Sequence, residues 1–155
     1  MTGARTFEDF IVGETWTSAS VELTEAEIIA FARANDPQPM HTDPEAAKDG
    51  RFGGLIASGW QIAALSMRLF IDTGGYGATP VVGMGIDELR WKKPVRPGDR
   101  LHVVREVIDT QLSRSNPKYG VIRTRVSVIN QDGETVMSLI SMGQVPVRSG
   151  SLCSL

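Results

Sequence analysis

The sequence predicts an α+β fold in which an antiparallel sheet curves around one long helix. Three observations carry that expectation. Helical patterning is confined to the first half of the chain, and period-two alternation of apolar residues to the second half. Such segregation belongs to α+β folds and not to alternating βαβ units. The segment 58–72 is apolar around most of its circumference, with Gln61, Ser66 and Arg68 as the interruptions. A helix apolar on nearly all sides belongs inside the protein. Finally, Arg96-Pro97-Gly98-Asp99 and Asn130-Gln131-Asp132-Gly133 are turn sequences placed between alternating runs.

The elements follow in order. Residues 15–21 are rich in Thr, Ser, Trp and Val, and read as a strand. Thr24 and Glu27 form a capping box, with Leu23 and Ile28 at the staple positions, so a helix starts there. Ile28, Ile29, Phe31 and Ala32 give it an apolar face through about Ala34. Asn35-Asp36-Pro37 stops it, because proline drives its predecessor out of the helical region. An irregular stretch with three prolines follows to Gly54, containing a short helical turn at 44–48 with Pro44 first. The long helix 58–72 ends near Gly74-Gly75. Strands are expected at 81–91, 101–109, 120–130 and 135–147.

The chain has 155 residues, 41% apolar and 22% charged. That length suits one domain, set here at 1–148, with 149–155 expected to be a disordered tail. A net charge of −2 supplies no basic field for nucleic acid or anionic lipid. No stretch has the roughly 20 apolar residues of a membrane span, and the first ten residues carry no signal-peptide run. The single cysteine, Cys153, permits no internal disulfide, and the expected compartment is the cytoplasm.

Two histidines are present. His102 alternates with apolar neighbours in a strand pattern and reads as a sheet-face residue. His41 lies in the proline-rich loop, five residues after Asp36, with Pro37 and Pro39 stiffening the backbone between them. Functional groups concentrate on loops held by rigid elements. An imidazole titrates near neutral pH, and a carboxylate in an apolar cleft can be tuned toward it. The pair suits general acid–base catalysis. The same residues could instead be a loop histidine and a cap. Asp36, His41 and Asp43 do not make a persuasive metal set, and neither a metal nor a cofactor is expected. Gly53-Gly54-Leu55-Ile56-Ala57-Ser58-Gly59 leads into the long helix. Amides at a helix start have no intrahelical acceptor and sit at the positive dipole end. The N–H of Gly59 could therefore hold a developing oxyanion, or Gly59 could simply ease packing. No nucleophile elbow, P-loop or dinucleotide fingerprint is present.

The run Asp36-Pro37-Gln38-Pro39-Met40-His41, with Ala47 six residues on, resembles the motif of the MaoC-like dehydratases, which include the R-specific enoyl-CoA hydratases. Ala57-Ser58-Gly59 resembles that family's step into its central helix. Trp91-Lys92-Lys93-Pro94-Val95-Arg96-Pro97-Gly98-Asp99 resembles its turn before a long strand. The resemblance spans about residues 7–147. It implies a hot-dog fold, a homodimer, and an acyl-CoA thioester as substrate. It also implies that Asp36 and His41 activate water while the Gly59 N–H holds the thioester oxygen, giving an R-3-hydroxyacyl product. Pro39, Ser58 and Ile62 are candidate substrate contacts, with Leu65 and Leu69 as further apolar lining. Arg51, Arg90, Lys92, Lys93, Arg96 and Lys118 are candidates for CoA phosphates, and Arg114 and Tyr119 for a bordering loop. Two positions depart from the pattern. Gln38 stands where the family has asparagine, and Ser58 where it has histidine before the glycine.

Fold does not decide function. A thioesterase on this fold would use Asp36 to direct water at the carbonyl carbon. A non-catalytic acyl-CoA-binding module would bind without turnover.

Overall fold

A computed structural model describes residues 3–149; Cys153 and the rest of the expected tail beyond Arg148 and Ser149 lie outside them. A short 3-10 turn, Phe7–Asp9, precedes β1 (Thr15–Thr17) and β2 (Val21–Glu22). Three helices follow: α1 (Glu25–Asn35), α2 (Pro39–Thr42) and α3 (Pro44–Lys48). The long helix α4 (Gly59–Asp72) leads to β3 (Val82–Trp91), β4 (Arg100–Leu112), β5 (Tyr119–Ile129) and β6 (Thr135–Pro146).

The six strands form an antiparallel sheet in the order β1-β4-β5-β6-β3, with β2 also on β4. The chain lays β3 on one edge, crosses to β4 beside β1, and then returns through two hairpins to β6, next to β3. Leu101 and Val103, at the inward parity of β4, meet Val126 and Val128 of β5 and Val136, Met137 and Leu139 of β6. Ile62 and Leu69 of α4 and Ile28 of α1 close this core. A smaller cluster of Phe10, Val107, Ile122 and Val145 seals the far end. This is the hot-dog arrangement expected from the sequence: a sheet rolled on a helix.

The capping box at Thr24 and Glu27 is present, with Glu27 N–H donating to Thr24 Oγ1 at 3.3 Å and Thr24 N–H to the Glu27 carboxylate at 2.8 Å. Three expectations need correction. The first strand is two short ones, because residue 18 turns its hydroxyl inward to accept from Val103 N–H at 2.9 Å. The stretch after Asp36 is not all irregular: it contains α2, which Pro39 opens. And α4 is not buried on all sides. Trp60, Met67 and Ile71, spaced along one face, are each about half exposed, at 58%, 49% and 52%. On the adjacent edge strand β3, Val82, Met84 and Ile86 are exposed as well. Apolarity all round α4 therefore reports two contact faces, only one of which the chain itself covers. No helix of the described residues is long and apolar enough to cross a membrane.

Candidate active site

The site is assembled where α1 stops and α4 starts. Asp36 still donates its N–H to the Ala32 carbonyl at 2.8 Å, but its φ of −153° and ψ of 69° take the chain out of the helix ahead of Pro37. Gln38 N–H then closes onto the Asp36 carbonyl at 2.8 Å, and Pro39 starts α2 with the φ that a first helical turn requires. This single turn places His41 inside, 4% exposed. Its Nδ1 lies 2.7 Å from the Ile56 carbonyl, while Ile56 N–H donates to the Met40 carbonyl at 3.1 Å. Ala57 N–H donates to the Val95 carbonyl at 2.8 Å. The segment before α4 is thus clamped on both sides, and it delivers Ser58 and Gly59 to a fixed position.

Asp36 is the hub. Its Oδ1 accepts from Gln38 Nε2 at 2.7 Å and its Oδ2 from Ser58 Oγ at 2.7 Å. His41 Nε2 lies 3.4 Å from the same Oδ2. A carbonyl only accepts, so His41 Nδ1 carries the hydrogen in that bond and Nε2 is the atom presented to Asp36. The Asp36 carboxyl is held below its ordinary value, first by the Gln38 amide, then by the Ser58 hydroxyl and the charge of His41, against an opposing effect of burial. His41 Nε2 and the Asp36 carboxylate thus face each other at 3.4 Å. A water molecule can hydrogen-bond to both and turn an oxygen lone pair outward.

Outward lies a cavity of about 560 Å³ whose walls include Asp36, Gln38, His41, Gly59, Ile62 and Trp91. Gly59 is the first residue of α4, so its N–H has no intrahelical acceptor and stands at the positive end of a 14-residue helix. The residue must be glycine for a steric reason: a Cβ there would sit 2.4 Å from Cε2 of Trp91. The Trp91 ring leans over the helix entry and meets Trp60 edge-on at 5.3 Å. Arg51, Lys92 and Lys93 stand at the rim, and Lys93 is paired with Glu134.

The structure therefore brings Asp36, His41, Gly59 and Ile62 to one cavity. Pro39 and Ser58 do not line it: the exposed Pro39 opens α2, and the fully buried Ser58 spends its hydroxyl on Asp36. Leu69 belongs to the core and Leu65 packs against it. Asp43 caps α3, accepting from the Glu45 and Ala46 N–H groups at 3.0 and 3.1 Å. Arg96 donates to the Phe52 carbonyl at 2.5 Å. Arg90, Arg96, Lys118, Arg114 and Tyr119 do not line this cavity. Three features escaped sequence reasoning. Gln38 was noted only as a departure, yet its amide is a direct donor to the Asp36 carboxylate. Trp91 was read as a strand end, and its contact with Gly59 has no local signal. Arg105 occupies an inward position on β4, a signal that strand parity carried, since Val103 and Val107 flank it two residues away.

Comparisons with known proteins show the family. A model of the MaoC like domain matches residues 9–130. The MaoC-like dehydratase of Rhodospirillum rubrum superposes with a TM-score of 0.88 at 40% identity, covering 94% of this chain and 99% of that one. The Bacillus subtilis protein YdeM is 37% identical over 124 residues, 80% of this chain and 86% of its own length. The 3-hydroxyacyl-thioester dehydratase Z of Mycobacterium tuberculosis is 30% identical over 110 residues, 70% of this chain and 73% of its own. The chain belongs to the MaoC-like dehydratase family.

Proposed function

We propose that the protein is a hydratase/dehydratase that interconverts a trans-2-enoyl thioester, carried on CoA, and its R-3-hydroxyacyl counterpart. The observation that carries this reading is the His41 Nε2 and Asp36 Oδ2 pair, 3.4 Å apart at the wall of a cavity that Gly59 also lines. In hydration, water held by the pair attacks Cβ. The pair takes one proton from the water as its oxygen bonds to Cβ and delivers one proton to Cα, so that it ends in its starting protonation state. The two act as a unit. Charge that develops on the thioester oxygen is met by the Gly59 N–H at the α4 terminus. Asp36 enters as the carboxylate, because Gln38 and Ser58 stabilise that form. Arg51 and Lys92 at the rim suit the phosphates of the carrier.

The active form is a homodimer in this reading. The exposed stripe of Trp60, Met67 and Ile71 lies beside an edge strand carrying Val82, Met84 and Ile86. Exposed apolar edges of this kind invite pairing, and a second copy of the same surface satisfies two-fold symmetry.

The test is absorbance at the conjugated enoyl-thioester band with crotonyl-CoA. Decay of the band without thiol release, lost in Asp36→Asn and His41→Ala, is the expected result. Thiol release from a saturated acyl-CoA without hydration would instead establish a thioesterase.

A further inference from the structure

A second cavity, about 720 Å³, lies toward the C-terminal part of α4, with Ala63, Met67, Ile71, Val81, Val126 and Leu139 among its walls. Its walls are mostly apolar, with the hydroxyls of Ser66 and Thr79 among the exceptions, and the one charged residue on them is Arg105 of β4, with Tyr76 and Ser141 beside it.

Arg105 is 2% exposed. Its Nη2 donates to Ser141 Oγ at 2.6 Å and to the Tyr76 hydroxyl at 3.3 Å. Its guanidinium carbon lies 3.8 Å from the centroid of the Phe70 ring and 5.6 Å from that of Tyr76. Its Nε is buried and has no acceptor. Among the described residues its partners are neutral hydroxyls and aromatic faces, and no carboxylate forms an ion pair with it. Burying a guanidinium costs several kcal/mol after relaxation. Valine occupies the inward positions on either side, Val103 and Val107, at no such cost. Rings and hydroxyls orient the fork without neutralising its charge. A guanidinium presents five donors in a plane matched to a carboxylate.

We propose that this cavity is a binding site for a carboxylate on an apolar body. Arg105 holds the anion, Ser141 and Tyr76 position the guanidinium, and the α4 and sheet residues take up the hydrocarbon. The carboxylate can be the far end of the acyl chain of the thioester substrate, which rests on the hydratase reading above. It can equally be that of a separate small molecule. Both sources present the same chemistry to Arg105.

Two measurements on the full-length protein separate them. The first is calorimetric titration of octanoate and of 1-octanol into wild type and Arg105→Met. Met keeps the apolar volume, and a melting curve verifies its fold. The second compares kcat/KM for trans-2-octenoyl-CoA with that for the same thioester bearing a terminal carboxylate. If the separate molecule is the source, octanoate binds wild type and Arg105→Met weakens it about tenfold or more, with octanol unaffected and no preference between the thioesters. If the acyl terminus is the source, wild type prefers the carboxylated thioester by a similar factor. Arg105→Met then removes the preference, kcat/KM for the carboxylated thioester falling to or below that for octenoyl-CoA. Ser141→Ala moves either readout in the same direction by less. Octanoate binding that ignores Arg105, or is absent together with any thioester preference, overturns the proposal. Failure to hydrate any thioester strikes the hydratase reading alone, since the octanoate titration does not depend on it.

Discussion

The two ends of α4 treat buried charge in opposite ways. At the N-terminal end, Asp36 has a donor on each carboxylate oxygen, and the helix amides add a favourable field. At the far end, Arg105 lies deeper, and among the described residues its polar partners are hydroxyls and rings. The first, the proposed acid–base site, holds an anion stabilised by the chain itself. The second, among the described residues, is a cation with no carboxylate partner, which the proposed ligand would supply. Burial alone does not identify function; the completeness of the partner set separates chemistry performed in place from recognition of a ligand.

Breaking the N-terminal end should have the largest effect. Asp36→Asn and His41→Ala are each expected to reduce crotonyl-CoA hydration by about 10²–10⁴-fold, read as the initial rate of absorbance loss. Gly59→Ala comes next. Its methyl meets Trp91 at 2.4 Å, so the ring must move over the helix entry, and a loss approaching that of a missing oxyanion donor, about 10²–10³-fold, is expected. Steady-state kinetics should place that loss mainly in kcat.

Gln38→Leu and Ser58→Ala sharpen the comparison. Each removes a donor that favours the Asp36 anion, so the Asp36 pKa rises toward the ordinary carboxylate value. The acid limb of the kcat/KM profile should then move to higher pH, more for Gln38→Leu than for Ser58→Ala. The stability sign follows from the same shift. A carboxyl whose folded pKa lies below its unfolded value, near 3.9, contributes stability above about pH 4, and that contribution is lost as pH falls through the folded pKa. Denaturant melts between pH 3 and pH 5 should therefore converge for wild type and Gln38→Leu at the acid end. The smallest effect is expected from Arg105→Met on crotonyl-CoA hydration, which should be unchanged. Its thermal midpoint should stay within a few degrees of wild type or rise, because an apolar side chain replaces a cation without a counter-ion.

Much of this was legible before any coordinates. Capping residues fixed the start of α1, Pro37 its end, and strand parity the sheet, because those signals are local. The Asp36–His41 pair was legible through its motif, whose spacing a single turn opened by Pro39 explains. What could not be read were the contacts between distant segments. The bond from Ser58 to Asp36 spans 22 positions, and the packing of Trp91 over Gly59 joins a strand end to a helix start. The exposed face of α4 was misread because apolar pattern reports contact without saying whose surface supplies it. Arg105 was legible in principle: a charge at inward parity on a central strand is costly, and the cost is itself information.

The most direct test of the central claim is a double-mutant cycle on the Asp36–His41 pair, using crotonyl-CoA hydration with circular dichroism to verify folding. If the two residues hold one water as a unit, Asp36→Asn/His41→Ala will lose no more activity than the worse single variant. Losses that multiply would show independent roles and contradict the account, as would an Asp36→Asn protein that hydrates at the wild-type rate.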